Sequence, residues 1–169
     1  QKHGGGKEAV RIGNRSANRG GGTVRAEREQ SEKKIAVLEG GRSAECEVSL
    51  ASGAGVAEAL RSLGADVTDV DVRGADFALP NDTELAFIAV HGTFGEDGQL
   101  QQILEDRGMP YTGENVEGSR LAFDKIASKQ KFSQHAVATP SWEIIHAGET
   151  PTLPLPYVIK APRQGSTAC

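Results

Sequence analysis

Residues 33–50 read KKIAVLEGGRSAECEVSL, and the succession of textures in this stretch decides the fold. Ile35 to Leu38 form a short continuous apolar run, the pattern of a parallel strand covered on both faces. Gly40-Gly41 ends the run, and a loop follows in which two carboxylates, Glu45 and Glu47, flank Cys46. Val56, Ala59, Leu60 and Leu63 then fall at the i, i+3, i+4, i+7 spacing of a helix, with Gly64 as its stop. Strand, glycine loop and helix together open a layered α/β fold.

The same alternation continues downstream. Val67 to Val72 read as a second strand interrupted by aspartates, and Leu85 to Val90 (LAFIAV) as a third. Leu100, Ile103, Leu104 and Arg107 before Gly108 outline a short helix. The order βαβ then βα implies a parallel, Rossmann-like sheet with helices on both faces. Beyond Tyr111 the spacing predicts a helix from about Val116 to Gln134, and Trp142 to Ile145 read as a short strand. GETPTLPLP is an extended, proline-punctuated connector into a final strand, Tyr157 to Lys160, which leads to APRQGSTAC. The expected organisation is a tail over 1–32, an α/β domain over 33–123, and over 124–169 the start of a second domain.

Composition sets the outer bounds. The chain of 169 residues has a net charge of −4, but residues 1–32 carry seven Lys/Arg against four Glu, so everything after them carries −7. An acidic globular part argues against nucleic acid as a partner. The tail contains two Gly-Gly-Gly clusters and few apolar residues, so it is expected to be disordered, and it has no aromatic residue on which a base could stack. Only Cys46 and Cys169 are present, without zinc spacing or a disulfide framework, so a reducing compartment, the cytoplasm, is expected. No apolar run approaches the ~18 residues that cross a bilayer, so a membrane partner is not expected. The chain begins at Gln1 and its single methionine is Met109, which reads as a fragment or a processed chain.

In an open parallel sheet, ligands collect beyond the carboxyl ends of the strands. The loop after the first strand is not a dinucleotide fingerprint: its glycines are adjacent instead of spaced, and Glu45 and Glu47 would repel a pyrophosphate. No Gly-Lys-Ser/Thr follows at P-loop spacing. Glu45 is better suited to an ammonium group; the plainer alternative is that both carboxylates favour a helix N-terminus, by ~0.3–1 kcal/mol each. In HGTFGEDG, residues 91–98, His91 leaves a buried strand with Glu96 or Asp97 as an orienting partner. Its alternative role is to satisfy a loop carbonyl, and Asp97 reads as a helix cap. Lys125 alone reads as a solvated helical lysine. Lys160 ends an apolar strand before RQGST, a glycine-hydroxyl loop whose amides, with Ser166 and Thr167, suit phosphate oxygens.

Four ordered stretches, IAVLEGGRSAECEVSLASG, FIAVHGTFGEDGQLQQILE, GMPYTGENVEGSRLAFDK and YVIKAPRQGST, resemble the D-alanine–D-alanine ligases, ATP-grasp enzymes of peptidoglycan synthesis, over about residues 33–167. The resemblance implies that Glu45 fixes the ammonium of the first D-alanine, with the Ser166 hydroxyl linked to it in the closed site. It implies that His91 lies near that substrate's carboxyl group, that Glu96 supports the pocket, and that Lys125 and Lys160, with Ser166 and Thr167, contact ATP phosphates. Transfer of the γ-phosphoryl group of ATP to a D-alanine carboxylate, then attack by a second D-alanine, is the chemistry implied, with Mg²⁺ neutralising phosphate charge.

The family's magnesium carboxylates, adenine pocket and second-substrate site lie past Cys169, so this chain alone is expected to be inactive. KAPRQGST stands where many members have Lys-Pro-Ser, with Lys160 and Ser166 still in register. The alternatives are another ATP-grasp ligase joining a carboxylate to an amine, with D-lactate or D-serine specificity undecided, and a non-catalytic Rossmann-like binding module. Residue patterns do not set the oligomeric state; the resemblance admits a homodimer.

Overall fold

Alternation along the first strand sets the layers of the protein. The structure, a computed structural model, describes residues 33–164; the expected tail over 1–32, and the loop positions Ser166 and Thr167, lie outside the described residues. Strand β1 (Lys34–Glu39) is the centre of a three-stranded parallel sheet of order β2-β1-β3, with β2 at Asp66–Asp71 and β3 at Leu85–Ile88. Ile35 and Val37 project to one face and meet Ala57, Val56 and Leu60 of helix α1 (Cys46–Ser62). Ala36 and Leu38 project to the other and meet Leu100 and Leu104 of helix α2 (Gln99–Asp106). Ala36, Val37 and Leu38 are fully buried, and burying a side chain such as Val37 or Leu38 contributes roughly 1.5–3 kcal/mol. The expected parallel α/β sheet with helices on both faces is therefore present.

The register Ile35↔Leu85 to Leu38↔Ile88 is shorter than the LAFIAV run: the Ala89 amide makes a last bond to the Leu38 carbonyl at 2.8 Å, and Ala89 and Val90 continue, buried, past the paired residues. Pro110 to Thr112 fill the far side of β3: the Ala86 amide donates to the Pro110 carbonyl at 2.9 Å, and the Thr112 amide to the Ala86 carbonyl at 3.0 Å.

The single helix predicted from Val116 to Gln134 is two, α3 (Val116–Phe123) and α4 (Lys125–Gln134). Asp124 separates them with an extended backbone (φ −86°, ψ 104°), and its Oδ1 accepts from the amides of Ile126 (3.0 Å) and Ala127 (3.1 Å). A short carboxylate that satisfies the free amides of a new first turn is a stronger local preference than continuation.

Neither Trp142 to Ile145 nor Tyr157 to Lys160 is a strand here. The Glu143 carboxylate instead accepts from the Thr152 hydroxyl (2.5 Å) and from the amides of Thr152 (2.7 Å) and Leu153 (3.1 Å), a local clamp that holds its pKa below the usual carboxylate value, the Thr152 hydroxyl foremost. Val158 and Ile159 are 79% and 64% exposed. Among the described residues no strand lies beside them to take their ladder bonds, and an apolar run without such a neighbour does not become a strand.

Glu39, at the end of β1, lies over Gly53 of α1, where an added Cβ would come within 2.1 Å of its Oε2. Among the described residues that oxygen is inaccessible and has no hydrogen-bond partner. Burial first, then the charges of Asp69 and Asp71, push the Glu39 carboxyl up from 4.5, with Arg61 pulling weakly the other way. A raised folded pKa means that the native state binds the proton more tightly. The resulting stabilisation is complete in acid and is lost as pH rises through the folded value. Glu39→Gln is therefore expected to stabilise the chain modestly near neutrality, with the gain shrinking in acid as wild-type Glu39 takes up its proton. Urea denaturation near neutrality and in acid checks this; an equal gain in both would refute it.

Candidate functional site

The loops that leave β1 and β3 are stitched together by hydroxyls. The Ser43 hydroxyl accepts from the Glu45 amide (3.2 Å) and donates to the His91 carbonyl (3.1 Å). The hydroxyl of Ser49, a fully buried residue in the first turn of α1, accepts from the His91 amide (2.9 Å) and donates to the Glu45 carbonyl (3.0 Å). Ser52 Oγ lies 3.0 Å from His91 Nε2. Glu45 and His91 are thus brought to one place, at the carboxyl end of the sheet where a parallel α/β fold binds ligands.

Glu45 occupies the N-cap position of α1 (φ −95°, ψ 13°), yet its side chain makes no bond to the helix amides. The carboxylate lies instead against Gly92, where a Cβ would come within 2.2 Å of Oε2, and Gly92 has the positive φ of +73° that only glycine adopts freely. Helix capping therefore does not account for Glu45, whereas Glu47, exposed in the first turn, fits the simple dipole role.

Among the described residues the His91 ring bonds no loop carbonyl. Its Nδ1 is 3.7 Å from Glu96 Oε1, beyond a hydrogen bond but close enough for attraction when the ring is protonated. Glu96 is held by its own amide, which donates to the Gly92 carbonyl at 3.0 Å. Asp97 is structural, as its capping pattern suggests: Oδ2 accepts from the Phe94 amide (3.0 Å) and Oδ1 from the Gln99 amide (3.1 Å) at the start of α2.

The two lysines behave differently. Lys125 opens α4, with its Nζ donating to the Gln164 carbonyl at 2.7 Å. Lys160 is exposed, and among the described residues no contact joins it to Glu45 or His91. Neither ammonium is paired with a carboxylate among the described residues, which leaves both charges for an anion. A cleft of about 540 Å³, lined in part by Thr93, Asp97, Arg120, Phe123, Asp124 and Arg163, runs from the His91 loop to the start of α4. Its lining takes in neighbours of His91 and of Lys125 in the chain, Thr93 and Asp124, but not Glu45, His91, Lys125 or Lys160 themselves. For Mg²⁺ the described residues offer no cluster of three or more His, Cys, Asp or Glu side chains, so no step is assigned to a metal.

Ser49, Ser52 and Arg163 are functional candidates that the sequence reading passed over. Ser49 and Ser52 stand four and seven positions after Glu45, on one helical face, a spacing that was available as a signal. The Arg163–Asp124 pair, 39 positions apart, has no local signature.

A family profile described as "D-ala D-ala ligase N-terminus" matches residues 68–114. The chain is 44% identical to a D-alanine–D-alanine ligase of Methylacidiphilum infernorum over 135 residues, covering 80% of the chain and 45% of that protein. It is 48% identical to one of Syntrophotalea carbinolica over 145 residues, covering 82% of the chain and 47% of that protein. The chain therefore spans about half the length of the curated relatives it matches. Among solved structures, a D-alanine–D-alanine ligase of Bacillus anthracis complexed with ATP superposes with a TM-score of 0.61 at 28% identity, over 71% of the chain and 42% of that structure. One from Aeromonas hydrophila gives 0.62 at 27%, over 70% and 52%. With the ordered motifs, the parallel sheet and these relatives in agreement, the chain belongs to the D-alanine–D-alanine ligase family, matching its N-terminal region.

Proposed function

We propose that, in a protein of the family's full length, this chain supplies the amino-acid lip and part of the phosphate lip of an ATP-dependent, ADP-forming ligase that joins two D-alanines in the cytoplasm. The observation that carries this is the Glu45 carboxylate, turned away from the helix amides and laid against Gly92 beside His91. A small zwitterion placed there meets a fixed negative charge at its ammonium and an imidazole that Ser52 and Glu96 orient towards its carboxylate. Lys125 and Lys160 would hold ATP phosphates, with Ser166 and Thr167 adding hydroxyls and Ser166 closing on Glu45. Mg²⁺ would be held by residues outside those described. Bound ATP supplies the phosphoryl group that activates the first carboxylate; this chain's residues bind, orient and neutralise charge.

Among related chemistries, joining D-alanine to D-lactate or D-serine uses the same first-substrate lip. The expected result for the full-length protein is ADP release that depends on D-alanine and yields a dipeptide of two D-alanines, with L-alanine inert as the first substrate. D-lactate or D-serine in place of the second D-alanine separates the alternatives. ADP release without D-alanine dependence would overturn the proposal. The chain limited to these 169 residues is expected to release no ADP in the same assay.

A further inference from the structure

Residues 162–164 lie as a strap across the first turn of α4. The Lys125 amide donates to the Pro162 carbonyl at 3.0 Å, and Lys125 Nζ to the Gln164 carbonyl at 2.7 Å. Between them, Arg163 Nε donates to Asp124 Oδ2 at 2.7 Å. The two oxygens of Asp124 therefore have separate duties: Oδ1 caps α4 and Oδ2 holds the strap. The Arg163 side chain is 77% exposed and that of Asp124 17%, so the pair adds little to global stability. Its effect is geometric. Arg163 stands three residues after Lys160, and Asp124 immediately precedes Lys125, so one ion pair ties together the segments that carry the two phosphate lysines.

We propose that Arg163 is a positioning residue for phosphate binding: through Asp124 it pins the 162–164 backbone to the start of α4 and so fixes the spacing of Lys125 and Lys160. The proposal rests on the ligase reading above. A guanidinium holds such a carboxylate in a directed, planar contact, which an ammonium replaces only in charge. Asp124→Asn keeps an oxygen for the cap while turning an amide NH₂ towards the guanidinium, which separates the two duties of the residue.

In the full-length protein, Arg163→Ala and Asp124→Asn are expected to raise the KM for ATP by about tenfold, with kcat and the KM for D-alanine changed by less than about twofold. Arg163→Lys should recover part of the loss. The double variant should be no worse than either single one, because both remove the same contact. In this chain, hydrogen exchange at the Lys125 amide should accelerate in Arg163→Ala as the strap lifts. An unchanged KM for ATP, an equal rise in the KM for D-alanine, or additive losses in the double variant would overturn the proposal. If the wild-type enzyme shows no D-alanine-dependent ADP release, the ligase reading fails by itself. ATP affinity measured by titration calorimetry then decides this proposal: weaker binding in Arg163→Ala supports it, and equal binding overturns it.

Discussion

Gly95→Ala lowers the stability of the chain by about 3 kcal/mol, at the upper end of the usual range for overpacking. A methyl group at residue 95 would lie 2.2 Å from the Val90 carbonyl oxygen, 2.6 Å from its carbon and 2.7 Å from the Val90 Cβ. Those atoms belong to backbone and to a residue only 3% exposed, so no rotamer change relieves the contact. The loop cannot swing away either. The Gly95 carbonyl accepts from the Nε2 of buried Gln101 at 2.7 Å, the Phe94 carbonyl accepts from the Leu100 amide at 3.1 Å, and Asp97 grips the Phe94 amide. Phe94 already stands at φ 80°, a strained conformation for a bulky residue that these bonds hold in place. Urea denaturation of the full chain measures the loss. Gly55→Ala serves as the control: Gly55 sits within α1 with open space around its Cβ position, so alanine there should be neutral or stabilising. A Gly95→Ala midpoint equal to wild type would show that the His91–Gly98 loop is free to move, and would undo the placement of His91 that depends on it.

The elements that were legible in the sequence are those whose cause is local. Four apolar residues between Lys34 and Glu39, together with the i, i+3, i+4, i+7 set in α1, are enough to place the central strand and its covering helix, because a doubly covered strand must be apolar on both faces. Glu45 and His91 could be named as candidates since each follows a buried strand, and loops at that end of such a sheet converge. What failed has a common physical form. Asp124 reads as one more polar position in a helical period, and only its two amide partners reveal it as a start. Tyr157 to Lys160 has the residues of a strand, but a strand needs a neighbour, and the pattern of one segment says nothing about whether its partner is present. Serines 49 and 52 carry no chemical signature of their own; they matter because His91 arrives opposite them. The Arg163–Asp124 pair is similarly a product of tertiary placement.

Glu45→Gln is expected to raise the KM for the first D-alanine by about a hundredfold in the full-length protein, the loss of one charge-assisted hydrogen bond worth about 3 kcal/mol. Glutamine has nearly the same shape, so the packing against Gly92 survives and only the charge is removed. The fold should not register the change. The Glu45 side chain makes no bond to the α1 amides, and the contacts that knit the two loops run through the Glu45 backbone and the hydroxyls of Ser43 and Ser49. Thermal stability close to wild type, an unchanged KM for ATP and a large rise in the KM for D-alanine form a signature that a mere structural defect does not produce, since a defect would lower the stability and raise both KM values together. If Glu45 only balances the positive end of α1, its loss costs ~0.3–1 kcal/mol of stability and leaves substrate affinity alone. The two outcomes are opposite in both measurements, so a D-alanine KM within about twofold of wild type would remove the amino-acid lip from the site.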